Sequence, residues 1–276
     1  MIKVDIILVS YCQERFIEQA LASISKQVVN KDVFLRLIVA DDYSTDNTLS
    51  IIHRLVSGFS FPVVILPTSH NLGIAKNYQR AFSECDGDYI AILEGDDYWS
   101  SPSHIQEHID FLTRYPECSM SMNRITYCDE NGKLYSFRWG YSESHHFVST
   151  REQIENGNQL GNLSACVLRT RFVKHLPDTL YDLPIADWML GVMLSQYGPI
   201  GLFEETTSVY RKNANSTWAS KSHLSHVRTM IQLANKYDSF QQGLFHKNWR
   251  TFKHNLIKQE WIRLMKGMQS FLKTSA

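Results

Sequence analysis

From Val4 to Tyr115 the chain alternates short apolar runs with segments whose apolar residues recur every three or four positions. "VDIILVS" (Val4–Ser10) is a continuous apolar run, the pattern of a strand buried on both faces. In Glu14–Gln27 the apolar residues Phe16, Ile17, Ala20, Leu21 and Ile24 have helical spacing. Val33–Ala40 predicts a second strand, and Asp46 the N-cap of a helix through Leu55. Pro62–Leu66 and Tyr89–Leu93 predict two more strands, with a helix over Gly73–Cys85 between them. A further helix, from about Ser103 to Tyr115, ends before Pro116.

Strands alternating with helices through short connections predict a parallel, doubly wound α/β sheet. From Cys118 to about Ser149 the pattern turns irregular, with Cys128–Lys133 as a hairpin turn. Ser164–Arg169 and Thr207–Arg211 read as strands around a helix beginning near Asp187. The end reads as helical, with Phe245, Trp249, Phe252, Leu256, Leu264, Met265, Met268 and Leu272 at three- and four-residue steps. The expected organisation is one domain over 1–218 and a helical extension over 219–276.

With 43% hydrophobic residues in 276, the chain can bury a sizeable core, and disorder is not expected. The formal net charge is zero but unevenly spread: Lys221–Ala276 holds ten Lys and Arg against two acids, Asp238 and Glu260. A basic tail suits an anionic partner such as a membrane surface or nucleic acid, or else a helical hairpin docked on the acidic body. Five scattered cysteines without a CxxC pair point to a reducing compartment, with neither a disulfide framework nor a zinc site. The start, "MIKVDIILVSY", lacks a signal-peptide pattern, and no run of eighteen apolar residues occurs, so a soluble or peripherally membrane-bound protein is expected.

In open α/β sheets ligands bind at the carboxyl ends of the strands. Here those ends carry Ser10–Tyr11, then Asp41–Asp42, then Glu94, Asp96 and Asp97 in "EGDD". No G-x-G-x-x-G follows the first strand and no GxxxxGK[ST] loop occurs, so no glycine loop cradles a phosphate. A divalent cation remains as the means of holding a diphosphate. Mg²⁺ and Mn²⁺ prefer oxygen ligands and are held by one or two carboxylates plus substrate phosphates.

"VSYCQERFIEQALASISKQ", "LIVADDYSTDNT", "NLGIAKN" and "AILEGDDYW" are similar, in order and spacing, to the blocks of inverting glycosyltransferase family 2. The resemblance runs from Val4 to about Asn123 and is thinner around "ADW" and "VYR". It implies the GT-A fold, a Rossmann-like three-layer sandwich with a mainly parallel sheet. Residues 1–123 would be the nucleotide-sugar half and 124–218 the acceptor half. Asp42, with Asp41, matches the acid that reads the base; Ser10 and Tyr11 flank it. Lys76 falls where a basic residue nears the base or diphosphate. Glu14 and Asn71 lie in the same blocks and join the expected nucleotide-sugar contacts. Glu94 and Asp96 correspond to the DxD motif, giving Asp96 and Asp97 as ligands of Mn²⁺ or Mg²⁺, with Glu94 a further candidate and Asp96 also a ribose contact. Asp187 matches the catalytic base, with Ala186 in place of the preceding acid. Arg211 matches a diphosphate contact, and Asn213 stands where His is common.

The implied activity is inverting transfer from a nucleotide-diphosphate sugar, of UDP or dTDP type, to a hydroxyl of a glycan or lipid-linked acceptor in surface polysaccharide synthesis. It would proceed in the cytoplasm or at the inner face of the membrane, without nucleic acid. The alternatives are a nucleotidyltransferase of a sugar phosphate and a non-catalytic nucleotide-sugar or glycan-binding module. Several residues also have plain structural readings: Asp41 and Asp42 as a turn, Asp187 as a helix cap, Arg211 as a partner of Glu204 or Glu205, Trp99 as packing, and His145–His146 as loop surface. Trp249, Arg250, Lys253, Trp261, Arg263 and Lys266 suit lipid headgroups or core packing.

Overall fold

The computed structural model describes residues 1–136, 145–184, 186–212 and 223–274. Its first half is the expected alternation: β1 (Ile2–Ser10), α1 (Ile17–Ser25), β2 (Val33–Asp41), α2 (Thr48–Val56), β3 (Val63–Ile65), α3 (Ile74–Glu84), β4 (Tyr89–Glu94), β5 (Tyr98–Trp99) and α4 (His104–Arg114). Strands β1, β2, β3 and β4 pair in parallel in the order β3-β2-β1-β4. Both faces of this sheet are covered, which is why its strands read as unbroken apolar runs. Ile6, Leu8, Leu37, Val39 and Leu93 pack toward α1, α2 and α4, while Ile7, Val9, Ile38, Ala40 and Ile92 face the opposite core with α3.

The second half is where expectation and structure part. The stretch from Cys118 to Ser149, expected to be irregular, holds β6 (Met120–Cys128), β7 (Leu134–Ser136) and β8 (His145–Val148). The hairpin turn expected at Cys128–Lys133 is present between β6 and β7. The signal was hidden because β6 buries polar residues: Ser121 and Asn123 are inaccessible and are hydrogen-bonded to His108. His146, expected as loop surface, lies in β8 opposite Leu202, with Nε2 3.8 Å from Glu152.

After α5 (Thr150–Glu155), capped reciprocally by Ser149 and Glu152, come β9 (Cys166–Arg169), α6 (Thr170–Val173), α7 (Ala186–Leu194), β10 (Ile200–Arg211), α8 (His223–Phe240) and α9 (His246–Thr274). Strand β9 runs antiparallel between β4 and β6 and joins the two halves into one mixed sheet. Trp188 of α7 meets Tyr237, Trp249 and Phe252 edge-on at 5.6, 5.3 and 5.0 Å between ring centroids, so α8 and α9 share the main core. Trp249 is fully buried there and is core, not a lipid contact. Farther along α9, Ile257, Trp261, Leu264 and Met265 are exposed.

Candidate active site

Register fixes the geometry of the strand ends. Ser10 lies opposite Asp41 across β1 and β2, and Val9 opposite Glu94 across β1 and β4. The polar tips therefore form a row on one edge, as the strand-end rule requires. They border a cleft of about 320 Å³ whose lining includes Ser10, Tyr11, Asp42, Asn71, Glu94 and Asp96.

On the β2 side the two acids have separate jobs. Asp41 accepts from Ser10 Oγ (2.8 Å), Ser44 Oγ (2.6 Å) and Ser44 N (2.8 Å), which fixes the turn after β2. Asp42 accepts from the backbone N–H of Leu72 (2.7 Å) and Gly73 (2.9 Å) and so holds the loop leading into α3. Gly73 has φ +81°, a conformation glycine adopts without strain. Asn71 donates to the Asp42 carbonyl (3.1 Å). Arg80 and Asn77 satisfy carbonyls at the ends of β2 and β3, including those of Ala40, Asp41 and Leu66.

The acidic loop after β4 is short because Gly95 permits it. A Cβ there would meet Gln13 Oε1 at 2.3 Å, Ile17 Cδ1 at 3.0 Å and Ser10 Cβ at 3.1 Å. Glu94, Asp96 and Asp97 each place an oxygen within 4.8 Å of the others. Tyr78 OH donates to Glu94 Oε1 (2.9 Å), and Asn162 Nδ2 donates to Glu94 Oε2 (3.3 Å). Asp97, 1% exposed, accepts from Arg211 N at Oδ1 (2.8 Å) and from Ser164 Oγ (2.6 Å) and Asn162 Nδ2 (3.0 Å) at Oδ2. Trp99 packs beneath this loop, donates to the Ser164 carbonyl (2.9 Å) and stacks on His104 at 4.4 Å.

Burial pushes the Glu94 carboxyl up to about 7, and the charge of Asp96 adds to the rise. Burial likewise raises Asp97 well above the ordinary carboxylate range and raises Asp96, while Arg211 pulls Asp96 down. Three partly desolvated carboxylates in mutual reach form an oxygen-only set short of positive charge. That set fits a hard divalent cation, Mn²⁺ or Mg²⁺.

The remaining sequence candidates fall around this centre. Asp187 sits in the first turn of α7, near enough to Glu94 for its charge to raise that carboxyl. Asn158 Nδ2 donates to its Oδ2 (3.0 Å), while Oδ1 is buried without a partner. Burial raises its pKa. Arg211, expected to reach a diphosphate, is 3% exposed and spent behind the acidic loop: it donates to the Asp96 and Asp129 carbonyls and to Gln19 Oε1, 4.5 Å over the Phe16 ring. Glu204 pairs with Arg124 instead. Lys76, expected near the base or diphosphate, pairs with Asp182 at 2.6 Å and does not line the cleft. Glu14 likewise turns away, accepting from Asn47 N and Nδ2. Asn213 lies outside the described residues. Tyr78, Asn162 and Ser164 escaped sequence reading. They act across separations of 16 to 70 residues, which leave no periodic trace.

A family model described as "Glycosyl transferase family 2" matches residues 5–176. The chain belongs to glycosyl transferase family 2. Among relatives of this family 2 chain, an uncharacterised protein of Mycobacterium tuberculosis is 30% identical over 222 residues, covering 78% of this chain and 60% of the relative. The dTDP-rhamnosyl transferase RfbG of Shigella flexneri is 35% identical over 124 residues, covering 44% of this chain and 42% of the relative. The chain thus spans 60% of the length of the mycobacterial relative. Among solved structures, TarS 1–349 of S. aureus in complex with UDP-GlcNAc superposes with TM-score 0.62 at 19% identity, covering 84% of this chain and 66% of that one. The mannosyltransferase PcManGT of Pyrobaculum calidifontis, in complex with GDP-Man and Mn²⁺, gives TM-score 0.61 at 14% identity, covering 91% and 68%. At these identities the likeness is one of fold, the GT-A arrangement of a mixed α/β sheet.

Proposed function

We propose that this family 2 chain moves a sugar, with inversion, from a nucleotide-diphosphate sugar of UDP or dTDP type to a hydroxyl of a glycan or lipid-linked acceptor. The observation that carries the reading is the carboxylate cluster Glu94, Asp96 and Asp97, of which Glu94 and Asp96 line a strand-end cleft, with the orphan oxygen of Asp187 nearby. Nucleotide-sugar complexes of two fold neighbours support it.

In this reading Asp42 and Asn71, with Ser10 and Tyr11, receive the nucleoside. Glu94, Asp96 and Asp97 would hold Mn²⁺ or Mg²⁺. The ion, when bound, neutralises charge on the donor diphosphate. Asp187 is the general base. Its burial makes it a stronger base than a solvated carboxylate, and Oδ1 is free to receive a proton. The acceptor oxygen bonds to the anomeric carbon as its proton passes to Asp187. The bond from that carbon to the diphosphate oxygen breaks, and the nucleoside diphosphate leaves with the electron pair. A single displacement by one base gives inversion. Arg211, tied to the Asp96 carbonyl, contributes its charge from behind the acidic loop.

Residues 1–123 supply the donor side of the site, 124–218 the acceptor side, and 219–276 a helical extension. Among the described residues no helix is long and apolar enough to cross a membrane. The exposed Ile257, Trp261, Leu264 and Met265 of α9, flanked by Lys258 and Lys266, suit an anionic bilayer surface at the inner face of a membrane in surface polysaccharide synthesis. Release of nucleoside diphosphate from a panel of nucleotide sugars, with and without Mn²⁺, tests the enzymatic reading. Binding without release for every donor and acceptor would leave a non-catalytic module. Sedimentation of the full chain with anionic vesicles tests the surface, and equal recovery with zwitterionic vesicles would refute it.

A further inference from the structure

Asp97 ties together three segments of the chain, its own among them. Its own loop follows β4, its Oδ1 accepts the backbone N–H of Arg211 at the end of β10, and its Oδ2 accepts from Ser164 and Asn162. The last two flank the start of a single 3-10 turn, Leu163–Ala165, just before β9. Within that turn Asn162 Oδ1 accepts the backbone N–H of Ser164 at 2.6 Å, so the Asn162 side chain is fastened to the turn that carries Ser164. Both also reach Glu94: Ser164 Oγ accepts the Glu94 N–H at 3.0 Å, and Asn162 Nδ2 donates to Glu94 Oε2 at 3.3 Å. Asn162 therefore donates to two carboxylates that would otherwise repel. Asn162 is 7% exposed and Ser164 1% exposed, and neither lines the donor cleft.

We propose that Asn162 and Ser164 are positioning residues that set the spacing of Glu94 and Asp97 for a divalent cation, without themselves touching donor or ion. The inference rests on the reading of the cluster as the metal site of a nucleotide-sugar transferase. Hydrogen-bond partners behind metal ligands fix ligand orientation, and their loss costs about 10- to 100-fold in metal affinity. Ser164→Ala removes one donor to Asp97 and the acceptor of Glu94 N–H. Asn162→Ala removes the bridge between the carboxylates.

The experiment measures Mn²⁺ affinity of the full chain by electron paramagnetic resonance of the free ion. UDP affinity in the absence of metal is measured alongside by calorimetry. Circular dichroism melting selects variants that fold. The expected result is Mn²⁺ binding weakened about 10- to 100-fold in Ser164→Ala and Asn162→Ala, with metal-free UDP binding unchanged. Ser164→Thr, which keeps the hydroxyl, restores Mn²⁺ affinity. Should Ser164→Ala not fold, Asn162→Ala, which also loses the bond to Ser164 N–H, and Asn162→Gln carry the comparison. Unchanged Mn²⁺ affinity in the folded variants overturns the inference. So does an equal fall in metal-free UDP binding, which marks a collapse of the cleft instead of a loss of spacing. Absence of Mn²⁺ binding in the unaltered protein, both alone and with UDP present, would overturn the metal reading of the cluster itself, a failure distinct from the first.

Discussion

Replacing Asp187 by Asn separates what the residue does for the fold from what it does for chemistry. The substitution conserves volume and keeps the oxygen that accepts from Asn158 Nδ2 at 3.0 Å. It removes a buried negative charge whose second oxygen has no partner and whose pKa burial already raises. Leaving a buried polar atom unpaired costs about 1–3 kcal/mol, and the new amide nitrogen inherits that penalty, so it cancels in the comparison. What remains is relief of an unfavourable charge near Glu94. Stability at neutral pH is expected to hold or to rise by about 1 kcal/mol at most. Chemistry should respond in the opposite direction. A positioned general base contributes about 10²- to 10⁴-fold, or about 3–5 kcal/mol of barrier at 1.36 kcal/mol per decade. The assay pairs urea unfolding with turnover measured as nucleoside diphosphate released, and with donor affinity by calorimetry. Donor affinity should not change. Turnover within tenfold of the unaltered enzyme would remove Asp187 from the reaction. A loss of several kcal/mol in stability would show that its carboxylate is a structural cap after all.

Gly95→Ala would drive a methyl into Gln13, Ile17 and Ser10. Gln13 can swing away but Ile17 cannot, so about 1–3 kcal/mol of stability should be lost, together with nucleotide binding; wild-type melting would refute the close approach. Trp249→Ala opens the aromatic cluster that fastens α9 and should cost about 3–5 kcal/mol by chemical denaturation; a loss under 1 kcal/mol would mean α9 is not anchored there. His104 and His108 are buried and share hydrogen bonds with Thr207 and Ser121. Burial lowers His108 to about 3 and His104 well below its ordinary value. The unfolded chain takes up these protons first, so their contribution is fully present above pH ~6.5 and declines as pH falls toward the folded value. Buried acids such as Glu94 titrate with the opposite sign, so the comparison is between the protein and His108→Gln. Their stability difference should narrow by about 1 kcal/mol between pH 7 and 5.5, and a constant difference would contradict the neutral buried ring.

The parallel half of the fold was legible because burial on both faces writes strands as apolar runs and helices as three- and four-residue spacing. The row of acids at the strand tips followed from that order alone. The second half was obscured where polar side chains are buried as partners of one another, as with Ser121, Asn123 and His108 in and beside β6. At the site, sequence blocks named Asp42, Asp96 and Asp187 but could not say how each would be engaged. Asp41 is absorbed by the turn after β2, Arg211 by carbonyls behind the loop, and Lys76 by Asp182. Such commitments depend on residues distant in the chain, and only the folded arrangement reveals them.

Strand β9 sits between β4 and β6 and supplies their hydrogen-bond partner on that side. Residues 1–123 are therefore not a portable module. A fragment ending at Asn123 would leave the Tyr89–Ala91 backbone of β4 unpaired, an edge that invites chain-to-chain association.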